Sequence, residues 1–138
     1  MEKLTRSEAR IKIMTILYQI NVYNENKIDY DLNKVIEKNL EFDNEFVKDI
    51  VFGITTYQKE IDDLANKYLN NWNIKRLGNT DQAILRMGIY ELIYTDTPDI
   101  VAINEAIELS KKYSDLKVSK MINGVLDKVY KNKIDNEW

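Results

Sequence analysis

The run Asn79-Thr80-Asp81-Gln82-Ala83-Ile84-Leu85-Arg86-Met87-Gly88-Ile89-Tyr90-Glu91-Leu92-Ile93-Tyr94 decides the fold. Asn79 and Thr80 are capping residue types, and Asp81 follows in the first turn, where a carboxylate suits the positive end of the helix dipole. Ala83, Ile84, Met87, Tyr90, Leu92 and Ile93 then fit a buried helix to about Tyr94. Thr95-Asp96-Thr97-Pro98 stops it, because proline has no amide hydrogen to donate and disfavours a helical residue before it.

The same periodicity extends in both directions. Upstream, Thr5-Arg6-Ser7-Glu8 is a capping box, and Ala9, Ile13, Ile16, Leu17 and Ile20 form an apolar stripe to about Tyr23. Asn24 to Lys27 reads as a polar loop, followed by a short helix from about Tyr30 to Leu40. Asp43 is placed to cap the longest helix, about Glu45 to Asn70, which has Gly53 in its interior where a close helix crossing is expected. Asn70 to Asn73 breaks the pattern, and a turn of helix is expected from Ile74 to Leu77. Downstream, helices are expected from about Ile100 to Tyr113 and from about Lys117 to Tyr130. Strand alternation is never sustained, so the fold class is all-α with six or seven helices and no internal repeat.

Composition narrows the chemistry. The chain has 138 residues, 44% of them hydrophobic and 31% charged, with only one proline and four glycines, which excludes disorder and low-complexity scaffolds. Cysteine and histidine are both absent, which removes disulfides, thiolate metal sites and the commonest general base. Asp62 and Asp63 are adjacent and diverge by about 100° on a helix. Glu105 and Glu108 share a face but lack the histidines of a di-metal bundle, and Ser110, Ser114 and Ser119 have no evident base. The expectation is a binding protein with no catalytic residue, no metal and no cofactor. The N-terminal segment carries charge and no small-residue cleavage site, and no stretch is apolar enough to span a bilayer, so a reducing cytoplasm and no membrane are expected.

Charge is unevenly distributed. The net charge is −3, yet eleven carboxylates face five lysines between Glu25 and Asp63, while seven lysines face only Asp115 and Asp127 between Lys111 and Lys133. Lys3, Arg6, Arg10 and Lys12 add a second basic end. If the two basic ends lie together, they make a phosphate-binding surface on an acidic protein, with Tyr113 available to stack on a base. The alternative is that these charges are merely solvated helix faces.

Three blocks carry a resemblance. Asp81 to Leu92, the segment Val101-Ala102-Ile103-Asn104-Glu105-Ala106-Ile107-Glu108-Leu109, and Ile122-Asn123-Gly124-Val125-Leu126-Asp127 closely resemble the NusB transcription antitermination factors. Ala9-Arg10 and Leu17-Tyr18 extend the likeness, which covers nearly the whole chain and is most specific from Pro98 to Asp127. The resemblance implies a single domain of two packed helical subdomains, roughly 1–75 and 76–138. It also implies an RNA-binding adaptor, not an enzyme. In that family the protein pairs with the small-subunit ribosomal protein NusE and binds boxA RNA. The pair joins NusA, NusG and RNA polymerase to suppress termination, chiefly in ribosomal RNA operons. The same fold begins a ribosomal-RNA cytosine methyltransferase, but the end of this chain at Trp138 leads us to expect no methyltransferase domain.

The family's arginine-rich motif maps onto Arg6 to Arg10, of which only Arg6 and Arg10 keep the charge. The expected RNA-binding set is Lys3, Arg6, Arg10, Lys112, Lys117 and Lys120 on phosphates, with Tyr113 stacking. Met121, two residues before Asn123-Gly124, occupies the position where the family often has an aromatic residue. Asp81 matches the carboxylate the family directs at NusE. Arg86 and Glu105, each in an apolar-rich helix, are read as a structural ion pair. Asn123-Gly124 is read as tight packing, and Tyr18 as core. A helical protein–protein adaptor without RNA binding and a metal-binding bundle built on Glu105 and Glu108 remain rival classes, and a homodimer stays open.

Overall fold

Residues 3–135 are described by a computed structural model. Its helices are α1 (Arg6–Glu25), α2 (Leu32–Asn39), α3 (Glu45–Thr56), α4 (Gln58–Tyr68), α5 (Asn79–Tyr94), α6 (Asp99–Tyr113) and α7 (Leu116–Asp135), with a single 3-10 turn, Ile74–Arg76, before α5. No strand occurs among the described residues. The segment that decides the fold is its centre: α5 packs against α1, α3, α4, α6 and α7. Ala83, Ile84, Leu85 and Ile89 are completely shielded from solvent, in one core shared with Ile13 and Ile16 of α1 and Ile122 and Leu126 of α7. None of the described helices is long and apolar enough to cross a membrane.

Local signals set most helix starts. Thr5 and Glu8 form the reciprocal capping box, with the Thr5 amide donating to Glu8 at 2.8 Å and the Glu8 amide donating to the Thr5 hydroxyl at 3.1 Å. Asp31 caps α2. Asn44, not Asp43, caps α3, accepting from the Val47 amide at 3.0 Å, while Asp43 instead accepts from Lys48. The α5 cap is Gly78, which places Asn79 and Thr80 inside the helix.

The long helix expected from Glu45 to Asn70 is two helices meeting at Tyr57. No glycine or proline marks the break. The Thr55 and Thr56 hydroxyls both donate to the Phe52 carbonyl, at 3.0 and 2.8 Å, an alternative to the helical ladder that bends helices. Tyr57 then leaves the axis and stacks on Tyr94, with ring centroids 4.7 Å apart. Gly53 does mark a close approach: a Cβ there would fall 1.9 Å from the Tyr90 hydroxyl. Gly88 is less crowded but still tight, since a Cβ there would lie 3.0 Å from Leu126 and 3.1 Å from Ala106. Gly124 lies at the surface, where an added methyl would meet nothing within 4 Å, so Asn123-Gly124 is not the tight packing step expected. Tyr18 is 45% exposed and is not core.

Candidate nucleic-acid interface

Two buried ionic ties must be separated from the surface first. Arg10 of α1 donates from Nε and Nη2 to the two carboxylate oxygens of Glu91 on α5, both at 2.7 Å, and from Nη1 to Glu105 on α6 at 2.9 Å. The Ser7 hydroxyl donates to the same Glu105 oxygen at 2.6 Å. Burial works against the Arg10 charge, but the Glu91 hydrogen bonds and the attraction of both carboxylates outweigh it and raise the guanidinium pKa above its ordinary value. Arg86 of α5 makes the second tie, donating to both oxygens of Asp62 on α4 at 2.8 and 3.0 Å and to the Asn21 side-chain oxygen on α1 at 3.0 Å.

These ties correct two expectations. Arg86 and Glu105 are each in a structural ion pair, but not with each other, because Arg86 of α5 is presented to α4 while Glu105 of α6 is presented to α1. Arg10 is 4% exposed and neutralised by two carboxylates, so it is a strut between three helices and not a phosphate ligand. Glu105 is engaged by Arg10 and Ser7, and Glu108 lies beside Lys111 at 3.8 Å.

The other basic residues stay at the surface. Arg6, one turn before Arg10, is exposed, with its guanidinium 4.0 Å above the Phe46 ring centroid. Lys3 is exposed and lines a recess with Lys12 and Phe42. An open groove of about 520 Å³ runs between α1 and α6, lined by Ser7, Arg10 and Ile11 on one side and on the other by Glu105, Glu108 and Leu109, with Lys111 and Lys112 at its end. The start of α1 and the basic end of α6 therefore share a groove, but Arg6 faces Phe46 of α3, and Lys3 and Lys12 line the separate recess.

Where α6 hands over to α7 the surface is both basic and aromatic. Tyr113 is 40% exposed, with the Lys112 ammonium 5.5 Å from its ring centroid. The Ser114 hydroxyl donates to Asp81 in the first turn of α5, fixing that half-buried carboxylate beside the α6–α7 corner. Lys120 is exposed one turn along α7 from Lys117. Lys117 lies over the Trp72 ring at 5.6 Å, and Arg76 lies over the same ring at 5.2 Å. Trp72 and Arg76 were absent from the expected site. The signal was a tryptophan among asparagines, with an arginine four residues later.

An all-helical bundle whose inner charges are tied in pairs, and whose rim gathers lysines around exposed aromatics, has the makings of a binding module. The model of the NusB family matches residues 7–131. The transcription antitermination protein NusB of Halalkalibacterium halodurans is 41% identical over 129 residues, covering 91% of this chain and 92% of that protein. The structure of T. maritima NusB is similar with a TM-score of 0.80 at 33% identity, covering 94% of this chain and 93% of that one. A chain in the structure of the antitermination factors NusB and NusE in complex with double-stranded RNA is similar with a TM-score of 0.78 at 28% identity, covering 91% and 96%. This chain belongs to the NusB family of transcription antitermination factors, which are not enzymes.

Proposed function

We propose that this protein binds boxA-type single-stranded RNA together with the ribosomal protein NusE in the cytoplasm. With NusA and NusG it then acts on RNA polymerase to suppress termination, chiefly in ribosomal RNA operons. The observation that carries this reading is the basic and aromatic corner where α6 hands over to α7, with Lys112 beside Tyr113 at the end of the α1–α6 groove, on a protein whose net charge is −3. The similarity to a complex of NusB, NusE and double-stranded RNA supports both partners. Lys3, Arg6, Lys112, Lys117 and Lys120 contact phosphates and Tyr113 stacks on a base, with Arg10 removed from that set. Phosphate contacts position the strand; base contacts select it. Asp81, preset by Ser114, is the contact offered to NusE.

The test is binding of a boxA-like single-stranded RNA, with and without the cognate NusE, at two salt concentrations. Salt-sensitive binding that NusE strengthens is the expected result. Loss of Arg10 to the interior favours a second reading, a protein–protein adaptor without RNA binding of its own. Negligible RNA affinity even with NusE present would establish the adaptor reading instead.

A further inference from the structure

Trp72 is an unusual residue to leave at the surface. It is 38% exposed, in a chain that completely buries Ile61 and Ile74 on either side of the same connection. The backbone that carries it is fixed at several points. The Trp72 amide donates to the Leu69 carbonyl at 2.8 Å after Asn71 turns the chain at φ 60°, a conformation asparagine tolerates well. Asn66 accepts from the Ile74 amide at 2.8 Å, and Asn73 caps the 3-10 turn by accepting from Lys75 at 2.9 Å. The indole is therefore displayed by a braced loop, at little entropic cost to whatever binds it.

Its neighbours define the ligand chemistry. Arg76, on the same loop, and Lys117, on α7, both lie within the range of a cation–π attraction to the ring, and both are exposed. The carboxylates nearby in sequence are engaged: Asp81 accepts from Ser114, and Asp115 accepts from the Val118 amide at 2.8 Å. A flat aromatic face between two cations matches a nucleobase with its flanking phosphates, since every base has a stacking face and every linkage a negative charge. An acidic peptide would meet the cations but make poor use of the indole. Lys117, in the first turn of α7, precedes Lys120 by one turn and follows the α6–α7 corner that carries Tyr113, so the feature adjoins the rim described above.

We propose that Trp72, flanked by Arg76 and Lys117, is a second base-stacking platform, extending the single-stranded RNA path beyond Tyr113 to the α4–α5 connection. This rests on the RNA-binding reading and adds one unpaired nucleotide, held on the indole, to its footprint.

Tryptophan emission tests it directly, because the chain contains only Trp72 and Trp138, and Trp138→Phe leaves Trp72 as the sole indole. That variant, with the cognate NusE, is titrated with a boxA-like single-stranded RNA and with a blunt duplex of the same length. Quenching by the single strand and not by the duplex is expected. Trp72→Ala should weaken single-strand binding on the order of five- to a hundredfold, and Trp72→Phe should restore most of the affinity. Helix content and thermal unfolding of each variant show whether it folds; if Trp72→Ala unfolds, the quenching and the Trp72→Phe affinity decide. Tight binding with unchanged Trp72 emission would overturn the platform while leaving the RNA-binding reading intact. Quenching by NusE before any RNA is added would overturn it in favour of a protein contact. Absence of RNA binding by the unaltered protein would overturn both.

Discussion

Arg10 and Arg86 in the interior, and Arg76 and Lys117 at the rim, are cations in opposite circumstances. The interior pair is matched by carboxylates across helices, with Arg10 and Glu91 drawn from positions 81 residues apart and Arg86 and Asp62 from positions 24 apart. The rim pair faces an aromatic ring and solvent. What separates the two regions is the availability of a counter-charge where the helix face happens to point. A buried cation next to a carboxylate organises helices; an exposed one beside an indole is left to meet an anion from outside. The residue type therefore does not disclose the role.

The sharpest way to break this contrast is to remove an interior cation. Arg86→Ala leaves Asp62 uncompensated in the core and is expected to cost about 3–5 kcal/mol in urea denaturation. Arg10→Ala should fall in the same range by stranding Glu91. A loss below about 1 kcal/mol for both would show that the interior ties are not structural. For the same reason Arg10→Ala is not a clean probe of RNA binding. The rim should behave in the opposite way. Lys112→Ala with Lys117→Ala is expected to shift stability by no more than about 0.5 kcal/mol. It should reduce the salt slope of RNA binding by about 1.4, roughly 0.7 for each phosphate contact on a single strand, as measured by affinity at several salt concentrations.

Smaller effects sharpen the comparison further. Gly124→Ala at the exposed face of α7 should raise stability by up to about 1 kcal/mol, because the added methyl meets nothing and the helix gains propensity. Gly88→Ala, crowded by Leu126 and Ala106, should forfeit that gain. The smallest effect is expected at the Tyr57–Tyr94–Tyr90 stack. Burial first, then neighbouring groups including Tyr57, Asp49 and Tyr94, raise the Tyr90 pKa; burial, Glu60 and Tyr57 raise that of Tyr94. The neutral phenols are favoured in the folded state. Their contribution to stability is present below the unfolded value of about 10 and is lost as pH climbs through the raised folded values. Ultraviolet difference absorbance of Tyr90→Phe and Tyr94→Phe against the unaltered protein should show the latest-ionising phenols disappearing.

Much of the fold was legible because its signals are local. Thr5 and Glu8 are three residues apart, and the apolar density from Ala83 to Ile93 is readable without knowing any neighbour. The break at Tyr57 was not legible, since threonine hydroxyls turning back onto Phe52 leave the apolar stripe intact. The site was legible only where it depends on composition: Lys112, Tyr113 and Lys117 are exposed as a basic stretch suggests. Arg10 was misplaced because its carboxylate partners come from two distant helices whose relative register periodicity does not encode. Arg86 and Glu105 were each recognised as paired and given the wrong partners for the same reason. Trp72 was read only as part of the break from Asn70 to Asn73; Arg76 is local to it, but Lys117 reaches it only after α7 docks.

The tie between Arg10 and Glu91 also imposes an order of events during synthesis. Arg10 leaves the ribosome first, and the carboxylate that neutralises it is added 81 residues later, a delay of roughly 4–16 s at bacterial elongation rates. Until then α1 cannot take its final seat without burying an uncompensated charge, and α4 waits in the same way with Asp62 until Arg86 is made. Of the helices made first, α1 and α4 are thus held back from premature closure until the central helix that completes both ties has been made.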